Sequence, residues 1–136
     1  MAENVMEPIF FIAIGGALGA LLRFWTGIAA TAVFGTSFPL GTLAVNTAGS
    51  FLIGLTASAV SAGLVASAPW NSLIMQGFCG ALTTFSTFSM DCFRLYREDC
   101  GRRTWTYLIL SIVLCLGAAA LGLSVFTQNA ALPGHP

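Results

Sequence analysis

The sequence contains no lysine, a single histidine and very little charge of either sign. Charged residues make up 7% of the 136 residues and hydrophobic residues 57%, whereas a soluble domain carries about 25% charged residues to solvate its surface. No Asp, Glu, Lys or Arg stands between Arg23 and Asp91, and none follows Arg103. Each of these stretches exceeds the ~20 apolar residues that cross a bilayer, so the composition indicates a membrane protein. A net charge of zero offers no polybasic surface for nucleic acid or anionic lipid. The N-terminal MAENVMEP is acidic and lacks the basic region of a cleaved signal peptide.

Catalytic sets are missing as well. The lone His135 lies in the tail, the central stretches hold no carboxylate, and no Ser/His/Asp set or metal-ligand cluster can be assembled, so no enzyme is expected. The four cysteines, Cys79, Cys92, Cys100 and Cys115, show no CxxC spacing and read as small apolar residues of membrane helices. GGALGA at 15–20 lacks the strand context of a phosphate loop. Its Gly15 and Gly19 read instead as a helix-packing pair.

What is there divides into one domain, 1–136, with four spans at about 9–33, 39–66, 71–100 and 104–126. Pro39 suits a helix start, APWN at 68–71 reads as a break, and Gly101 as a stop. Helix throughout 71–100 would extend ~45 Å, against a hydrocarbon core of ~30 Å. The stretch GFCGALTTFSTFSMD therefore predicts an interruption near 80–84, where glycines and hydroxyl residues cluster. Non-helical backbone at membrane depth survives only inside protein or beside water, and its freed carbonyls can coordinate a cation.

Polar groups are ordered along two faces. Thr42, Asn46, Ser50, Gly54 and Ser58 recur every four residues in the second span, and Tyr107, Ser111 and Cys115 do so in the fourth. Such stripes serve close helix packing or line a polar path. Asn46 is the costlier residue, since a carboxamide in the membrane needs its donors and acceptors satisfied. Phe85 and Phe88 read as packing, or as rings presenting their positive edges to an anion. Arg23 either snorkels to the interface or draws anions into a vestibule. Asp91 marks a pore mouth or the water interface. Hydrogen-bond donors without carboxylates favour an anion over a cation or proton.

GALTTFSTFS, PLGTLAVNTAGSFLIG and GGALGALLRFW resemble the signature segments of the Fluc (CrcB) fluoride-channel family, and the likeness covers all four spans. The resemblance implies an all-α membrane protein of four transmembrane helices, the third broken, assembled as an antiparallel dual-topology homodimer. It implies passive, fluoride-selective export that lowers cytoplasmic fluoride toxicity, in a multi-pass protein of the bacterial inner membrane. The expected partners are fluoride, membrane lipid and a second copy, with no nucleic acid. Asn46, Phe85, Phe88, Tyr107 and Ser111 match the fluoride path, Thr42 joins them from the stripe of Asn46, and Arg23 matches the vestibule arginine. The carbonyls of Gly80 and Thr83 match those that hold a structural, non-transported Na+.

Two features depart from the family pattern. Cys115 stands where serine is frequent and is a weaker donor. Arg94, Arg97, Arg102 and Arg103 gather near the third loop, a bias that the positive-inside rule reads as one orientation with the termini outside. A proton-coupled small multidrug exporter also uses four spans, but it needs a carboxylate in the first helix, and none stands between Glu7 and Asp91. A non-transporting assembly subunit would need neither Asn46 nor a polar break.

Overall fold

A computed structural model describes residues 6–99 and 101–127. The acidic N-terminal stretch before Met6, Cys100 and His135 lie outside the described residues. Three helices are long and apolar enough to cross a membrane: α1 (Met6–Phe34), α2 (Leu40–Ser61) and the last helix, α6 (Arg102–Thr127). α1 closes at Gly35, whose φ of 77° places it in the left-handed region and whose N–H donates to the Thr31 carbonyl at 3.0 Å. α2 closes at Gly63 in the same way, with φ 70°.

The segment between α2 and α6 is built from short pieces. α3 (Ser67–Trp70) leads into a π-helical run, Asn71–Cys79, which continues as α4 (Gly80–Leu82). Thr83 then turns extended, with φ −78° and ψ 153°, and helix resumes as α5 (Phe85–Asp99). Two expectations need correction here. The second span stops at Ser61 and does not reach 66, because Gly63 turns the chain first. APWN is not a break: Pro69 sits in the first turn of α3, where a missing N–H costs no hydrogen bond.

Two glycine-mediated pairings hold the helices. A Cβ added to Gly54 would meet the Ala119 carbonyl, and one on Gly122 would meet the Phe51 carbonyl, so α2 and α6 touch backbone to backbone. Ser58, fully buried, seals this contact by donating to the Gly122 carbonyl at 3.0 Å. On the other side, a Cβ on Gly15 or Gly19 would strike the carbonyls of Leu73 and Phe78, seating α1 against the π-helical run. The buried apolar cluster is small: Leu43, Leu95 and Tyr107, with Phe38, Leu40, Phe88 and Cys92 packed against it. Most large apolar side chains of α1 and α6 face outward, as lipid contact requires.

Candidate functional site

The interruption at Thr83 and Thr84 leaves helical groups to be satisfied, and the sequence supplies the partners. The Thr84 N–H, which a continuous helix would donate to the Gly80 carbonyl, donates instead to Asn46 Oδ1 at 2.7 Å. Asn46 Nδ2 donates in return to the Thr84 carbonyl at 3.1 Å. The paired bonds fix the carboxamide's orientation, because only oxygen can meet the Thr84 N–H. One Nδ2 hydrogen is used here, which leaves the second for a ligand. Asn46 thus splints the break from α2, 38 residues away in sequence.

Thr84 also caps α5. Its Oγ1 accepts the Thr87 N–H at 3.2 Å, the N-cap geometry that satisfies an orphan donor of the first turn. In a continuous helix that N–H would go to the Thr83 carbonyl. The two diversions, Thr84 N–H to Asn46 and Thr87 N–H to Thr84, thereby release the carbonyls of Gly80 and Thr83 from their helical partners. Thr83 itself is anchored, its N–H and Oγ1 both donating to the Cys79 carbonyl at 3.0 and 2.9 Å. Its methyl occupies the space that a side chain on Gly49 would take.

Thr84 stands between two grooves. One, of about 450 Å³, is lined by Asn46, Ser50, Phe85, Phe88, Ser111 and Cys115 among others. The second, of about 750 Å³, lies on the α1 side and includes Arg23, Thr42, Thr84 and Thr87. A smaller polar cavity of about 300 Å³ shares Thr42 and Thr87 with it and adds Asp91 and Arg94. The structure therefore brings Asn46, Phe85, Phe88 and Ser111 to one groove. It places Arg23 and Thr42 on the other.

An aromatic ladder borders the first groove. Phe85 and Phe88 have ring centroids 5.8 Å apart, Phe88 and Tyr107 5.3 Å, and Tyr107 meets Phe38 edge-on at 5.5 Å. Phe85 is 80% exposed on the isolated protomer, whereas Tyr107 is fully buried behind Phe88. The hydroxyls of Tyr107 and Ser111 are buried without a hydrogen-bond partner in the protein. Thr42 and Ser111 are the hydroxyls that face Tyr107, but neither bonds it, and Thr42 donates instead to Asp91 Oδ2 at 2.7 Å. Asp91 also lies 3.7 Å from Arg94, whose guanidinium donates to the Thr36 carbonyl at 2.9 Å.

Sequence reasoning passed over Thr84 and Thr87 and the bond between Thr42 and Asp91. A threonine immediately before a new helix is a readable N-cap signal. The Thr42–Asp91 bond joins residues 49 apart and has no local signal. Among the described residues no group of three or more His, Cys, Asp or Glu side chains comes together.

Residues 10–123 match the family described as CrcB-like protein, Camphor Resistance (CrcB). Similar proteins include the fluoride-specific ion channel FluC of Vibrio parahaemolyticus, 41% identical over 88% of this chain and 94% of that one. The FluC of Vibrio campbellii is 40% identical over 91% and 98% of the two chains. That of Hahella chejuensis is 43% identical over 86% and 92%.

Proposed function

The chain belongs to the CrcB-like family, and from that premise we infer that it is a multi-pass membrane protein that works as a fluoride-specific ion channel. It is a channel and not an enzyme. The observation that carries the site is the Asn46–Thr84 clamp, which holds a break in the chain open between two grooves, mostly apolar walls with a few polar groups, without using a carboxylate. Fluoride is small and strongly hydrated, so a narrow path must replace its water with donors. Asn46 offers its second N–H, Ser111 and Tyr107 offer buried hydroxyls with no protein partner, and Phe85 and Phe88 offer ring edges. Arg23 lines the second groove and would raise the local concentration of anions there.

The path is completed by a second copy in an antiparallel, dual-topology homodimer. Phe85 and Gly80 are exposed on the single protomer beside the groove, where a partner would enclose them. The α3–α5 segment forms the fourth crossing, broken at Thr83 and Thr84. The released carbonyls of Gly80 and Thr83 suit Na+, a hard cation that takes oxygen ligands, and residues of both copies would hold it. When bound, it supplies a fixed positive charge that favours an anion nearby. The membrane is the bacterial inner membrane, where passive fluoride exit lowers cytoplasmic fluoride toxicity.

Liposomes loaded with potassium fluoride and bearing the purified protein test this reading. Valinomycin should trigger rapid fluoride release, read with a fluoride electrode, while chloride-loaded vesicles release almost nothing. Folded, dimeric protein that releases neither ion would refute the channel reading.

A further inference from the structure

The net charge of zero conceals a local concentration of arginine. Arg102 and Arg103 begin α6, and with Ser37, Phe38 and Thr106 they line a pocket of about 550 Å³. Trp105, 65% exposed, stands beside them, a residue type that settles at the membrane–water boundary. Two guanidinium groups and the Ser37 hydroxyl at that depth are donors suited to a phosphate group, while the Thr106 hydroxyl donates within the helix to the Arg102 carbonyl at 3.0 Å.

An apolar groove of about 850 Å³ lies between α1, α2 and α6, and its lining is almost wholly apolar. On α6 it is lined by Leu114, Ala118 and Leu121. Counting back along the same face by three or four residues gives Leu110, Thr106 and Arg103. The basic pocket and the apolar groove therefore occupy one stripe of α6. The other walls agree, since Phe34 and Leu40 of the groove flank Ser37 and Phe38 of the pocket in sequence. From Arg103 to Ala118 the helix rises ~22 Å, the span from a headgroup to the inner end of an acyl chain in a bilayer with a ~30 Å core.

We propose that this stripe is a binding site for an anionic phospholipid, its phosphate held by Arg102, Arg103 and Ser37 and one acyl chain laid in the α1–α2–α6 groove. The groove is built for a chain attached to a charged head, because its polar end is basic and the rest of its wall is not. The site rests on the membrane location of the protein and is independent of fluoride conduction.

The test uses the full-length protein in nanodiscs of mixed phosphatidylcholine and phosphatidylglycerol, with native mass spectrometry reading the lipids it retains. Phosphatidylglycerol should be enriched above its share of the bilayer. Arg102→Gln should lower that enrichment about ten-fold, the loss of one charge-assisted hydrogen bond to the phosphate. Arg97→Gln removes the same charge outside the pocket and should leave enrichment unchanged. Ala118→Phe fills the groove and should cut lipid retention without altering charge. Leu121→Trp, at an already exposed position, does the same where Ala118→Phe fails to fold. The proposal is overturned by absent enrichment, by an equal loss in Arg97→Gln, or by retention that survives both groove-filling variants. Displacement of the lipid by inorganic phosphate would identify a free-phosphate site instead. Dissociation of the dimer by groove filling would show that a second copy covers the groove.

Discussion

Asn46 and the backbone of Thr84 hold each other through two hydrogen bonds, at 2.7 and 3.1 Å, across the point where the chain leaves helical geometry. The carboxamide replaces both helical contacts of that peptide, acting as donor and acceptor at once. An aspartate of the same shape has no N–H to give the Thr84 carbonyl. Asn46→Asp should therefore destabilise the fold by roughly 1–3 kcal/mol, the cost of a buried acceptor left unpaired, and should lower fluoride efflux at least ten-fold in liposomes. Wild-type flux from this variant would remove Asn46 from the path.

Phe88 lies between Phe85 and Tyr107, with centroid distances of 5.8 and 5.3 Å. Phe88→Ile keeps much of the apolar volume but removes the ring edge. Efflux should fall steeply while the elution position in size-exclusion chromatography stays that of the wild type. A shift to a smaller species together with loss of flux would instead assign Phe88 to assembly.

Gly49 and Thr83 are coupled by space. A Cβ on Gly49 would run into the Thr83 methyl, and overpacking of this kind typically costs about 1–3 kcal/mol. Gly49→Ala should lower the melting temperature and distort the break. Thr83→Ser removes the methyl and keeps the hydroxyl that donates to Cys79. The double variant should recover most of the lost stability, and strictly additive effects in this cycle would contradict the contact.

These residues differ in how far the sequence announces them. Asn46 is legible because a carboxamide amid apolar residues demands a partner, and Gly15 and Gly19 because their spacing is that of close helix contacts. The partner of Asn46 is not legible, since the bond goes to a backbone 38 positions away and any residue type presents the same backbone. The π-helical run Asn71–Cys79 has no local signature either. It lies where α1 presses its glycines onto the Leu73 and Phe78 carbonyls, a contact that exists only once the helices pack. The stripe of Asn46 assigns Thr42 to the fluoride path but carries no sign of Asp91, to which the Thr42 hydroxyl donates.

The carbonyls released at Gly80 and Thr83 predict a dependence on Na+. Replacing Na+ by N-methyl-D-glucamine during purification and assay should lower both the melting temperature and fluoride flux, and restoring Na+ should recover them. Radioactive sodium should not cross with fluoride. Indifference of stability and flux to Na+ would refute the cation site.

Tyr107 separates function from stability. Its side chain is fully buried and its hydroxyl has no protein partner, so it carries a desolvation cost that no hydrogen bond offsets. Tyr107→Phe keeps the ring contacts with Phe38 and Phe88 and removes only the unpartnered group. Stability should stay within about 0.5 kcal/mol of wild type or rise. Fluoride flux should fall several-fold if that hydroxyl is kept for the ion. A purely structural hydroxyl gives the opposite pattern: a lower melting temperature with unchanged flux. Ser111→Ala, where the hydroxyl is likewise buried and unpartnered but borders the groove directly, should show the same split. If both variants conduct like wild type at unchanged stability, the buried hydroxyls take no part in replacing the water of the ion.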